Sequence, residues 1–235
     1  MEAAIVAGVG PGLGASLARA FSREGYSLGL FSRKVQSSEP VAAQIRSHGG
    51  KAVALSVDVT QRDGVFEAVE KLRAELGPIT VLAYNASGFG RGNFLDLEPE
   101  TIRQSFEVGV MGAVHLAQAI IPHMLQAGHG FISLTGATAS LRGRAGFAPL
   151  AIAKSSLRML GQSLAREFHP KGIHIVHVIV DGQIDTPKLR AREPHRATET
   201  LIPPDAIAAA IIHSFRQPRN AWTHEIDIRP CGESF

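Results

Sequence analysis

The stretch "AAIVAGVGPGLGASLARAF", Ala3 to Phe21, sets four glycines between a short apolar run and the first residues with a helical period. Glycines at such a junction let the backbone turn tightly and come close to a ligand. The N-terminus of the helix that follows offers unpaired N–H groups and a positive dipole end to a phosphate. The alternation then repeats. "SLGLF" precedes a polar helix, and "AVALSV" precedes the period Val65, Val69, Leu72, Leu76. "ITVLAYN" leads into a long segment from about 98 to 126, and "GFISLT" into a helix that opens near Pro149. "GIHIVHVIV" comes before a helix near 205 to 215, and "WTHEIDI" closes the series. Strands that read as continuous apolar runs, separated by helices, predict one α/β domain over 1–235 with a parallel sheet covered on both faces. In that order the glycine cluster, lying between the first strand and the first helix, points to a dinucleotide.

Other residues fall where such a ligand would lie. After the second strand, "FSRK" puts Ser32, Arg33 and Lys34 at the place where a carboxylate would pair with a ribose 2′-hydroxyl. Arg33 suits a 2′-phosphate instead, with Ser32 as a further donor, which favours NADP(H) over NAD(H). Asp58, in "LSVDVT", either accepts from an adenine amino group or caps the next helix. Asn85 and the small residues after it let the backbone pass near the cofactor ribose. The polar segment "DTPKLRAREPHRATETLIPP" reads as an insertion, with 187–204 either a lid over the site or a loose surface loop.

The totals narrow the classes. A net charge of +3 on 235 residues, with the basic side chains dispersed, gives no nucleic-acid or anionic-membrane surface. Cys231 is the one cysteine, so neither an internal disulfide nor a cysteine metal site is expected, and no metal is assigned. The N-terminus does not read as a signal peptide, and no apolar run reads as long enough to span a membrane. A soluble, cytoplasmic protein with a small-molecule substrate or effector is expected.

These motifs resemble the short-chain dehydrogenase/reductase family along nearly the whole chain. Gly8, Gly12 and Gly14 match its GxxxGxG pattern, with Leu13 inside it, and Asp58-Val59 matches its adenine-contacting Asp-Val. "YNAS", with Asn85 and Ala86, is a variant of Asn-Asn-Ala-Gly, and "DGQIDTP" resembles Pro-Gly-x-x-x-Thr. The resemblance implies a Rossmann-like doubly wound sheet of about seven strands, a homodimer or homotetramer, and NADP(H) for hydride exchange with a carbonyl or alcohol. It further implies that Ile184 and Thr186 reach the nicotinamide carboxamide and diphosphate.

The catalytic places depart from that pattern. "LAIAK" stands where the family has Tyr-x-x-x-Lys, so Lys154 takes the lysine place and would bond the nicotinamide ribose, while Leu150 stands in the tyrosine place. By pattern alone Lys154 lies off the apolar stripe Ala153, Leu157, Leu160, Leu164, Phe168, on a face with Leu150 and Arg158 that reads as solvated. Leucine cannot transfer a proton. The family's serine falls at Gly136 or Ala137 and its asparagine at Gly109. Thr135, Thr138 and Ser140 are the nearby hydroxyls, of which Thr135 and Thr138 join Lys154 as the catalytic candidates, and Asp181, Asp185, Glu107 and His195 are candidate acids. Two functions follow. One is an oxidoreductase with an altered proton path, acting on a carbonyl-like or iminium acceptor; the other is a non-catalytic NADP(H)-binding sensor or scaffold.

Overall fold

The structure, a computed structural model, describes residues 2–232. Seven strands form one parallel sheet in the order β3-β2-β1-β4-β5-β6-β9. They are β1 (Ala3–Ala7), β2 (Ser27–Ser32), β3 (Ala52–Ser56), β4 (Ile79–Tyr84), β5 (Gly130–Thr135), β6 (Ile173–Val180) and β9 (Glu225–Ile228). A short pair, β7 (Gln183–Ile184) with β8 (Leu201–Ile202), stands apart. The helices are α1 (Leu13–Arg23), α2 (Glu39–Ser47), α3 (Arg62–Leu76), α4 (Pro99–Phe106), α5 (Gly112–Ala127), α6 (Ala148–Phe168), α7 (Pro187–Arg192) and α8 (Pro204–Phe215).

Successive residues of a strand face opposite sides, and here each side meets helices. Ala3, Ile5 and Ala7 of β1 enter a core with Val65, Leu72, Leu116, Ile120 and Leu157 from α3, α5 and α6. Ala4 and Val6 enter the other core, with Leu17, Phe21, Ala42, Ile207 and Ile211 from α1, α2 and α8. This two-sided burial is why the strands carry no polar alternation. Strand order reverses between β1 and β4, so the loops leaving their carboxyl ends part there and open a crevice.

Two expectations are corrected. The segment 187–204 is not structureless, because α7 and β8 lie in it. Thr186 caps α7 by accepting from Leu189 N at 3.2 Å, and Arg190 grips Asp185 at 2.7 and 2.8 Å. The run 99–127 is also long and apolar enough to cross a membrane by length and composition, although 61% of its apolar window is buried in the fold. Its histidines and Pro122 hide that run from a simple reading.

Between α4 and α5 the helix widens into a π turn, Glu107–Met111. The buried Tyr84 hydroxyl donates to the Val108 carbonyl inside this turn, and Gly112 leaves room for the phenol: a Cβ on Gly112 would lie 2.4 Å from it. Tyr84→Phe should therefore destabilise the fold by about 1–2 kcal/mol, a fall in Tm of roughly 2–8 °C for a domain of this size. An unchanged Tm in thermal unfolding would show that the phenol does not hold the turn.

Candidate active site

The turn after β1 and the end of β4 pack against each other at the crevice. Gly8 has φ +88°, and a Cβ there would lie 2.5 Å from Ala86 N; a Cβ on Gly14 would lie 2.5 Å from Gly8 O. Asn85 Nδ2 donates to Gly8 O at 3.0 Å, which ties "YNAS" to the glycine turn. Gly10 faces open space, and no side chain caps the N-terminus of α1, which begins at the buried Leu13. Gly12 lies under the Thr186 methyl, 2.9 Å from where its Cβ would be, with Ile184 two residues earlier in β7. Gly8, Gly12, Gly14, Asn85, Ala86 and Thr186 thus come together at one cradle, with Leu13 buried in the core behind it, and the bare backbone there fits a diphosphate.

The far end of the crevice is more mixed. Arg33 and Lys34 are exposed and form no ion pair among the described residues, so both are available to an anion. Ser32 is buried, and its hydroxyl is occupied by Lys34 O and Ser38 Oγ, each at 2.8 Å. Its role is to shape the turn that presents Arg33. Asp58 is exposed, and its Oδ1 accepts from Thr60 N at 3.0 Å and Thr60 Oγ1 at 2.8 Å, which closes a local turn; it does not cap α3, whose N-cap is Gln61 with no side-chain cap bond. Val59 is buried, and its carbonyl accepts from His115 Nδ1 at 3.0 Å.

On α6 the solvated reading of Lys154 is wrong. Lys154 is 4% exposed, and its ammonium donates to Thr135 O at 2.7 Å with two protons left over. Burial pulls its pKa down to about 8. The face shared by Leu150, Lys154 and Arg158 lies over the ends of β5 and β6, and Arg158 grips Glu225 of β9 at 2.6 and 2.8 Å. Leu150 is half-buried one turn before Lys154.

Neighbours crowd the side-chain space at both Gly136 and Gly109. A Cβ on Gly136 would meet His177 Nε2 at 2.4 Å and Ser140 Oγ at 2.8 Å; one on Gly109, in the π turn, would meet Ala153 Cβ at 3.0 Å. Thr135 presents its carbonyl to Lys154. The Thr138 hydroxyl donates to Asp181, whose other oxygen is held by Arg142 at 3.3 Å and Arg229 at 3.1 Å. Asp181 is therefore buried and charge-paired. The Arg190 guanidinium holds the Asp185 carboxyl below the usual range, so it stays ionised and has no proton to give. His195 is exposed and Glu107 part-buried in the π turn, and neither is drawn into the cluster around Lys154.

Sequence reading missed the pairing of His177 and Glu225, in register on β6 and β9 with His177 Nδ1 3.0 Å from Glu225 Oε2. The available signal was a pair of histidines inside an otherwise apolar strand. Among the described residues no cluster of histidine, cysteine or carboxylate side chains could hold a metal.

A glycine-rich cradle at the reversal point of a doubly wound parallel sheet defines a Rossmann-type nucleotide-binding protein. Residues 2–197 match the short chain dehydrogenase family model, and the chain belongs to that family. It is 27% identical to an uncharacterized oxidoreductase of Staphylococcus saprophyticus over 97% of both chains. A short-chain dehydrogenase from Rhodopseudomonas palustris shares 33% identity at TM-score 0.83, over 97% of this chain and 98% of that one. An alcohol dehydrogenase from the archaeon Thermococcus sibiricus, complexed with 5-hydroxy-NADP, has the same fold at 23% identity and TM-score 0.87, over 98% and 97%. The chain is an oxidoreductase of the short-chain dehydrogenase type.

The lysine makes a pH-dependent contribution. Between about 8 and the ordinary 10.5 the unfolded chain holds the Lys154 proton and the folded chain does not. Stability from this group therefore rises with pH across that window, and its burial cost is fully present below pH 8. Subtracting the unfolding free energy of Lys154→Met from that of the native chain should give a difference that climbs from pH 8 to 10.5. A flat difference would place the ammonium in water.

Proposed function

We propose that this oxidoreductase uses NADP(H), exchanging hydride with a carbonyl-like or iminium carbon while the accompanying proton travels by a path that avoids position 150. The cofactor, when bound, supplies the hydride. The observation that carries the reading is Lys154: a buried ammonium with one carbonyl partner and two protons to spare, placed where the family's lysine bonds the nicotinamide ribose. Gly8, Gly12 and Gly14 would hold the diphosphate, Asn85 and Ala86 the ribose side, and Ile184 and Thr186 the carboxamide and diphosphate. Asp58, with Val59 behind it, would take the adenine. Exposed Arg33 and Lys34 support the phosphorylated cofactor, as does the NADP analogue held by the Thermococcus relative. We assign 187–204 as a lid, since Thr186 at its root already lies over Gly12. Ile152 and Met159, exposed on α6, offer an apolar face for assembly with further copies in the cytoplasm.

Fluorescence titration tests the cofactor. NADPH should bind about ten- to a hundredfold more tightly than NADH, the worth of one charge-assisted hydrogen bond of about 1.5–3 kcal/mol. Arg33→Ala should erase that preference, and equal affinities in the native chain would overturn it.

Restoring the phenol should not restore the family's chemistry. Groups that act as a unit do not contribute singly, and at Gly136, one of the two positions counted for the family's serine beside Ala137, the side-chain space is filled by His177 and Ser140. Leu150→Tyr should raise turnover of a simple ketone with NADPH by less than about tenfold, against the 10²–10⁴ a working general acid contributes. A larger gain would mean that leucine is an isolated loss.

A further inference from the structure

The space where a side chain at Gly136 would stand holds two polar groups from elsewhere in the chain, and they belong to one hydrogen-bonded series. Ser140 Oγ lies 3.3 Å from His177 Nε2, and His177 Nδ1 lies 3.0 Å from Glu225 Oε2. Arg158 clamps both oxygens of Glu225. The partners fix the directions. A carboxylate only accepts, so Nδ1 carries the imidazole proton and Nε2 is bare. Ser140 Oγ accepts from Ala137 N at 3.1 Å and so gives its own proton to Nε2. Serine, neutral histidine and carboxylate then stand in the order that lets a hydroxyl take a proton as it passes one on.

The surroundings keep the series in that state. His177 is fully buried on β6, facing Glu225 on β9, Arg158 and Lys154 on α6, and Ser140 after β5. Burial pulls its pKa down to about 4, against the opposing pull of Glu225, so at neutral pH it is an empty acceptor. The Arg158 guanidinium holds the Glu225 carboxyl below its ordinary range, and the carboxylate is ionised. Glu225, a quarter exposed, forms the solvent end. At the other end Ser140 Oγ lies 2.8 Å from where a Cβ on Gly136 would stand, and Gly136 directly follows Thr135, whose carbonyl holds Lys154.

Building on the hydride-transfer reading above, we propose that Ser140 is the catalytic hydroxyl and that His177, positioned by Glu225 and Arg158, is the proton acceptor behind it. In alcohol oxidation the substrate O–H bond breaks as a proton passes to Ser140 Oγ, and the Ser140 O–H bond breaks as its proton passes to His177 Nε2. With oxidised cofactor bound in the cradle, the carbon's hydride would leave to it and the electron pair left on oxygen would close the C=O bond. The imidazolium, paired with Glu225, later releases one proton to water. Carbonyl reduction runs the same path backwards. The relay moves proton handling from the helix that carries Leu150 to the strand beneath it.

Two acceptors separate proton delivery from everything else. Reducing benzaldehyde with NADPH needs one proton, whereas reducing N-methyl-3,4-dihydroisoquinolinium yields a neutral amine and needs none. Ser140→Ala should lower the ratio of the benzaldehyde rate to the iminium rate by about 10²–10⁴, and His177→Gln should lower the same ratio. Because it is a ratio within one protein preparation, partial unfolding leaves it unmoved. A ratio that stays native-like in both variants would overturn the relay while hydride transfer stood. No hydride transfer by the native chain to either acceptor would overturn the oxidoreductase mechanism, and the relay with it.

Discussion

A buried ammonium on a main-chain carbonyl, Lys154 Nζ on Thr135 O at 2.7 Å, fixes how α6 lies over the end of β5. An ammonium out of water needs acceptors, and burial already weakens its hold on a proton. The carbonyl supplies one acceptor, and ribose hydroxyls in the crevice would supply the next. The same face of α6 carries Arg158 onto Glu225 and so reaches the outer strand β9. One helix face thus holds both the end of β5, through Lys154, and the polar series through Glu225 and His177.

Most of the fold was legible because both cores depend on local periodicity. The alternating apolar runs gave the strands, and the glycine cluster marked the cradle, since only residues without a Cβ fit against Ala86 N and Gly8 O. The face of Lys154 was not legible. Its neighbours at one-turn spacing are leucine and arginine, which read as a wet face, and the arginine's partner Glu225 lies 67 residues away. His177 and Glu225 are likewise joined only by strand register, which the chain order does not reveal. In 187–204 much of the polar bonding converges on one arginine, Arg190, which joins Asp185, Arg196 O and Thr198, a pattern with no periodicity to detect. Ser32 illustrates the opposite failure: the right position, with a hydroxyl already committed to its own turn.

Gly109 and Gly136 each leave room that a neighbour fills. Glycine at 136 is what lets the His177 ring and the Ser140 hydroxyl occupy the space there, and glycine at 109 lets the π turn pack on Ala153. A serine put back at 136 would collide with the ring.

The central claim is that a cradle kept for NADP(H) still delivers hydride after the family's proton donor has gone. Its most direct test is a single turnover with NADPH carrying deuterium at the transferable position of the nicotinamide, with benzaldehyde as acceptor and mass spectrometry of the product. Deuterium on the carbinol carbon of benzyl alcohol is the expected result. Tight NADPH binding with no label transferred would contradict the claim and leave a protein that holds the cofactor without using it.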